Sequence, residues 1–496
     1  MTLLAHGADT LTRDALAVLQ PGFEGTTAPA WLLRQVGEGL TAVGLFGRNI
    51  ASPGQLAALT AQLRAEREDV LVAIDEEGGD VTRLEVRGGS SFPGNLALGA
   101  VDDTGLTRDV ARELGRRLAE CGVNLNWAPS ADVNSNPDNP VIGVRSFGAD
   151  THLAARHTAA YVEGLQAAGV AACTKHFPGH GDTNVDSHHA LPRIDADLDT
   201  LAARELVPFK AAIAAGTKAV MSAHILVPAL DPTRPATLSP QILTGLLRKE
   251  LGYEGLIVTD GMEMNAIAGT YGIERGSVLA IAAGADAICV GGGLADEATV
   301  LRLRDALVEA VREGALPAER LADAAARVRE LASWTRQARA AAAPGAPQEG
   351  SAPGIGLAAA RRALVITGTA EPVTAPYVAT LAPVANIAVG DETPWGVAAE
   401  LAALVPGTAS GVFPEGATAA DVLAAAGERT VVTVVRDAHR HPWMAQALEA
   451  LVEARPQTVV VEMGVPRAEP RGALHIATHG ASRVCGRAAA ELIAGI

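Results

Sequence analysis

The sequence has little cysteine: four in 496 residues, Cys121, Cys173, Cys289 and Cys485, none of them in a CxxC pair. This spacing supports no zinc ribbon, redox motif or disulfide framework, and the four are expected to be buried free thiols in a reducing compartment. Positive charge is also short. Lys and Arg number 40 against 56 Asp and Glu, a net charge of −16, whereas a nucleic-acid or anionic-membrane binder needs clustered cations. No uninterrupted apolar run reaches the roughly 18 residues of a membrane span. The opening MTLLAHGADTLTRDALAVLQ lacks the basic start and apolar core of a signal peptide. The expectation is a cytoplasmic protein that binds neither nucleic acid nor membrane. Oligomeric state is not legible, and neutral ligands such as sugars are unaffected by the acidic balance.

What is present is a large apolar fraction, 48% against 19% charged residues, enough for a sizeable core. At roughly 150 residues per domain the length suggests about three units, although one α/β barrel alone takes about 250 residues. From about residue 15 to 335, short apolar runs alternate with Ala/Leu/Arg-rich stretches. The candidate strands are Ala15–Gln20, Ala42–Phe46, Val70–Asp75, Val123–Trp127, Ala171–Lys175, Ala219–Ser222, Leu256–Asp260 and Ala287–Val290. Parallel strands need crossovers, usually helices, so the alternation implies a parallel sheet covered on both faces, and this number of units predicts a (β/α)8 TIM-like barrel. A doubly wound nucleotide-binding sheet would carry GxGxxG after its first strand, where this chain reads GFEGTT. The Ala/Pro/Gly-rich stretch 341–356 reads as a linker. Beyond it the alternation resumes at Ala363–Thr367, Ile387–Val389, Thr430–Val435, Thr458–Val461 and His475–Thr478. The expected organisation is a catalytic barrel at 1–340, a linker at 341–356 and a smaller α/β sandwich-type domain at 357–496.

Barrel enzymes carry their chemistry at the C-terminal ends of the strands, and this rule selects residues. Strand three ends in Asp75, strand five in Lys175-His176, strand six runs into Ser222-Ala223-His224, and strand seven ends in Asp260. A carboxylate mounted as Asp260 is can stabilise a cationic transition state or attack carbon. The segment from Lys175 to His189 holds five basic side chains and two aspartates between glycines. Its spacing matches no metal-ligand pattern such as HExxH, so no metal is expected. Asp186 and His188, two residues apart, lie on one side of an extended segment, where a carboxylate fixes an imidazole's tautomer and the pair can exchange protons with substrate. Asp75 can accept hydrogen bonds from sugar hydroxyls, and Arg83, Arg145 and Lys175 can donate them. Glu76, Glu77, Asp80 and Glu85 read in part as a solvated face, as do His439 to Trp443 in the second domain.

These residues form motifs. KHFPGHGDTNVDSHHALP and VTDGMEM, preceded by IDEEGGDVTRL and NPVIGVRSFG, span residues 75 to 264, and together the chain resembles the β-N-acetylglucosaminidases of glycoside hydrolase family 3. The resemblance implies a retaining double displacement. Asp260 is then the nucleophile, His188 backed by Asp186 the acid/base, and Asp75, Arg83, Arg145, Lys175 and His176 the holders of a terminal N-acetylglucosamine. It implies cell-wall fragments or chitin oligomers as substrates and no cofactor. Asp80 and His189 depart from residues common in the family at those places. A phosphorylase on the same machinery, and a sugar-binding sensor that no longer catalyses, are the alternatives.

Overall fold

The computed structural model describes residues 2–185, 191–341, 354–384 and 392–496, without the side chains of residues 2–9. The chain divides into two compact units, 1–76 with 107–133 and 150–351, and 77–106 with 134–149 and 352–496. Each is described by itself.

The first unit is the TIM-like barrel. Its strands are β1 (Leu19–Pro21), β2 (Ala42–Leu45), β3 (Leu71–Ile74), β4 (Leu125–Asn126), β5 (Ala171–Phe177), β6 (Ala219–Ser222), β7 (Leu256–Thr259) and β8 (Ile288–Val290). β2 to β7 form one sheet in chain order, β1 pairs with β8, and every pairing is parallel. A single bridge, Val258 to Ala287, joins β7 to β8. Alternate residues point inward as a period of two requires. Ala73, Ala171, Cys173, Ala219, Met221, Val258 and Cys289 thereby meet in one buried cluster, joined by Val328 and Leu331 of the helix Ala318–Ala341. Small alanines suit the narrow lumen. All four cysteines are free and buried, as read from the sequence, and burial pushes the Cys121 thiol up to about 11 and the Cys485 thiol up to about 12.

The expected first strand, Ala15–Gln20, is corrected. Residues up to Ala17 finish the helix Thr2–Ala17, and only Leu19–Pro21 is strand. Periodicity does not separate helix from strand when a short run is buried throughout, and Ala15 to Leu19 are each at most 1% exposed. The other seven strands lie within two residues of their predicted bounds.

The second unit is built on a sheet of order β11–β10–β12–β13–β14–β9, parallel except for β9 at one edge. Its strands are β9 (Val365–Gly368), β10 (Tyr377–Leu381), β11 (Ala409–Phe413), β12 (Val431–Val435), β13 (Val459–Glu462) and β14 (Leu474–Ala477). Alternation along β12 sends Val432 and Val434 to one face, under the helices Ala398–Leu404 and Arg483–Ala494, and Val431 and Val435 to the other, under Ala419–Ala426 and Pro442–Ala454. Of the linker read at 341–356, residues 342–353 lie outside the described residues, as does the strand read at Ile387–Val389. No helix of the described residues is long and apolar enough to cross a membrane.

Two excursions from the barrel region, 77–106 and 134–149, cluster with the C-terminal chain. The fastening is polar, and buried at Asp80. Asp80 pairs with Arg436 at 2.5 Å and accepts from Ala481 N–H at 2.7 Å. Arg483 donates to Ser91 Oγ at 2.7 Å, and His439 Nε2 donates to the Pro137 carbonyl at 2.9 Å. The reading of the acidic stretch as a partly solvated face is therefore corrected: Glu76, Glu77 and Asp80 are 2%, 3% and 7% exposed. Half-buried His439 is likewise a tether, not a solvated loop residue. Burial raises the Asp80 pKa, and Arg436 opposes the rise. Removing one partner of such a pair leaves an uncompensated buried charge. Arg436→Ala is expected to cost about 3–5 kcal/mol in chemical denaturation, with part of the loss regained by adding Asp80→Asn. A loss under about 1 kcal/mol would show that the pair holds nothing.

Candidate active site

The first unit gathers charged groups at the C-terminal ends of its strands. Lys175, on β5, is only 2% exposed. An ammonium so buried needs a counter-charge, and Asp75, the residue after β3, supplies it at 2.5 Å. The next residue, His176, donates Nδ1–H to Asp132 at 2.7 Å, which fixes its tautomer. Asp132 also accepts from Ser130 Oγ at 2.9 Å and from the backbone N–H of His180 at 2.7 Å and of His176 at 3.3 Å. Burial alone would raise this carboxyl, but His176 and these donors hold it at about 2. His180 meets the His176 ring edge-on at 6.0 Å. Burial and the neighbouring His176 push its pKa down to about 4, against the pull of Asp132.

Asp260 follows β7 directly and is half-buried. Its Oδ1 accepts from Gly261 N–H at 2.8 Å, and its own N–H donates to Ser222 O at 3.2 Å. His224, fully buried, donates Nε2–H to the Gly261 carbonyl at 2.9 Å, which requires the Nε2 tautomer. His224 therefore buttresses the turn that carries Asp260. Asp75, Lys175 and Asp260 lie at the C-terminal ends of the parallel strands β3, β5 and β7 and so share one end of the barrel.

Two of the expected sugar-holding residues, Arg83 and Arg145, belong to the second unit. Arg145, 6% exposed, forms a two-pronged ion pair with Glu77, Nη2 to Oε1 at 2.6 Å and Nε to Oε2 at 3.0 Å. Its carbonyl accepts from Asn95 Nδ2 at 2.7 Å. Asp186 and His188 lie outside the described residues, as does His189. Among the described residues no three His, Cys, Asp or Glu groups gather as metal ligands.

Sequence reasoning missed Asp132, Glu77 and Glu205. The strand-end rule had a signal for Asp132, which lies in the loop following β4, but its partners His176 and His180 are 44 and 48 residues away. Glu205 is 1% exposed and paired with Arg204 at 2.6 Å, while Arg204 reaches Asp182 at 2.5 Å. Burial raises Glu205 from 4.5 to about 7, with Arg204 opposing. A carboxyl that holds its proton more tightly when folded costs the fold stability as pH rises from about 4.5 through about 7, and the cost persists above that. The melting temperature of Glu205→Gln, taken relative to the unaltered protein, should therefore climb between pH 5 and pH 8. An offset independent of pH would contradict this assignment.

The family model described as the glycosyl hydrolase family 3 N-terminal domain matches residues 27–331. Beta-hexosaminidase A of Pseudoalteromonas piscicida is 37% identical over 324 residues, 60% of this chain and 54% of that protein. The chain thus spans about half the length of that relative. A beta-hexosaminidase of Neisseria meningitidis serogroup C is 36% identical over 254 residues, 50% of this chain and 70% of that one. The solved family 3 beta-N-acetylglucosaminidase of Paenibacillus sp. str. FPU-7 superposes with a TM-score of 0.86 at 35% identity, covering 98% of this chain and 96% of that chain. With the strand-end carboxylates and the barrel in place, these matches make the chain a member of glycosyl hydrolase family 3.

Proposed function

We propose that the protein is a retaining exo-β-N-acetylglucosaminidase, releasing terminal non-reducing N-acetylglucosamine from cell-wall fragments or chitin oligomers. The observation that carries this reading is Asp260. Its carboxylate is half-buried at the end of β7, held by a backbone N–H and backed by His224, at the same end of the barrel as the Asp75–Lys175 pair. A carboxylate fixed this way suits in-line attack on an anomeric carbon, because little reorganisation separates its resting and reacting positions. The names of the similar beta-hexosaminidases and of the Paenibacillus enzyme support an N-acetylhexosaminide substrate.

In this mechanism Asp260 displaces the aglycone and forms a covalent glycosyl-enzyme, while His188 donates a proton to the departing oxygen. His188, oriented by Asp186, then takes a proton from water, which attacks the same carbon and returns it to its starting configuration. Asp75 accepts hydrogen bonds from sugar hydroxyls. Lys175, Arg83 and Arg145 donate to hydroxyl or acetamido oxygens, and His176, whose Nδ1–H is given to Asp132, accepts from a hydroxyl at Nε2. Buried groups of this kind make recognition strict, since an analogue without the matching group leaves them unsatisfied. A cytoplasmic setting belongs to the proposal, and the four free thiols fit a reducing compartment.

The test is a panel of aryl β-glycosides (N-acetylglucosaminide, glucoside, xyloside, N-acetylgalactosaminide), each with and without inorganic phosphate. The N-acetylglucosaminide should be hydrolysed fastest, with phosphate making no difference to product. A sugar 1-phosphate product would convert the reading to a phosphorylase. Asp260→Ala should lose about 10⁴-fold or more in kcat. His188→Ala should lose about 10²–10⁴-fold with poor leaving groups and much less with activated phenols. Equal losses across leaving groups would remove His188 from proton transfer.

A further inference from the structure

β1 and β2 exchange no ladder hydrogen bonds among the described residues, so the β1–β8 pair is a separate sheet set beside β2 to β7. At the C-terminal rim, side chains close the gap. Asn49 Nδ2 donates to the Phe23 and Gly25 carbonyls at 2.9 and 2.8 Å, and Arg48 Nε donates to Phe23 O at 3.1 Å. Arg48 then reaches across to the residues that follow β8, donating Nη1 to Gly292 O at 3.0 Å and Nη2 to Gly291 O. Glu263 Oε1 accepts the N–H groups of the same two residues, Gly291 at 3.0 Å and Gly292. Two consecutive residues are thus gripped at both their carbonyls, by a guanidinium, and their N–H groups, by a carboxylate, and the peptide between them is held at both its C=O and its N–H. The approach tolerates nothing larger than glycine: a Cβ on Gly291, at φ +145°, would stand 2.2 Å from Gly22 N.

Glu263 lies three residues after Asp260 in one turn, in which Met264 N–H donates to Gly261 O at 3.0 Å and Met262 N–H to Cys289 O at 3.0 Å. Its second oxygen, Oε2, is buried without a partner among the described residues and lies 3.3 Å from where a Cβ on Gly261 would stand. One arm of the turn is therefore fixed by Ser222 and His224, and the other by Glu263 through Gly291 and Gly292, which follow β8. We propose that Glu263 and Arg48 are positioning residues for Asp260, clamping Gly291–Gly292 between them so that the turn after β7 presents its carboxylate at a fixed place on the rim. This rests on the reading of Asp260 as nucleophile. A displacement of about 1 Å in such a group costs about 10²-fold in rate, whereas a clamp that served folding alone would leave the rate of each folded molecule unchanged.

The experiment measures covalent labelling of the full chain by a mechanism-based fluorosugar, followed as intact mass, with peptide mapping of the label. Glu263→Ala should label Asp260 about 10–100-fold more slowly while reaching the same endpoint of one label per molecule. Glu263→Gln, whose amide oxygen still accepts both N–H groups, should recover most of the rate. Gly292→Ala, which would put a Cβ 2.7 Å from Glu263 Oε1, should slow labelling without deleting the carboxylate, and it serves if Glu263→Ala does not fold. An unchanged rate constant, or a reduced endpoint at unchanged rate, would overturn the clamp as a positioning device. A label mapped away from Asp260 in the unaltered protein would overturn the nucleophile assignment instead.

Discussion

The lumen of this barrel is apolar, so each charge at its rim must bring a partner or be pinned by backbone. Lys175 is buried because Asp75 is beside it. His176 keeps one tautomer because Asp132 receives its Nδ1–H, and Asp132 stays ionised in a dry place because it collects three further donors. Asp260 is held through its turn: Gly261 N–H donates to its own oxygen, its N–H donates to Ser222 O, His224 donates to the Gly261 carbonyl, and Glu263 ties the end of the turn to Gly291 and Gly292. Paired buried charges add little net stability against hydrophobic replacements. What they provide is a fixed direction for each group, which is what a reaction through a single carbon requires.

The same logic recurs in the second unit. Glu77 holds Arg145 by both prongs, and Asp80 is held by Arg436 and by Ala481 N–H. The buried charge of Asp80 is balanced by Arg436, the residue that follows β12. Glu462, 1% exposed, is raised to about 7 by burial and by Asp437, against the N–H groups of Gly464, Ala438 and Asp437 that donate to it. A carboxyl caged this way ties the ends of β12 and β13 together through the turn at Asp437.

Much of this was legible in the sequence, for a local reason. Seven barrel strands announced themselves as short apolar runs between amphipathic helices, and the residues closing them, Asp75, Lys175 and Asp260, fell at the rim because strand ends fall there. What was not legible depends on partners far along the chain. Nothing near Glu77 indicates that Arg145, 68 residues on, neutralises it, nor that Asp80 meets Arg436. A run of acids without visible partners therefore read as solvated. β11, Ala409–Phe413, was missed because an edge strand with alternating exposure carries no continuous apolar run. The end of the helix, Ala15–Ala17, reads as strand because those residues are buried on every side. The partners of Glu263 are not legible locally, since only the closure of the barrel brings Gly291 and Gly292 to it.

The central claim is that a carboxylate held at the mouth of the barrel attacks the anomeric carbon and is itself displaced by water. Two inversions at one carbon leave its configuration unchanged. Proton NMR of an aryl β-N-acetylglucosaminide during the first minutes of hydrolysis reads this directly. The account predicts that β-N-acetylglucosamine appears first and the α anomer only later, by mutarotation. Initial release of the α anomer would mean one displacement in place of two, and Asp260 would then have to act as something other than a nucleophile.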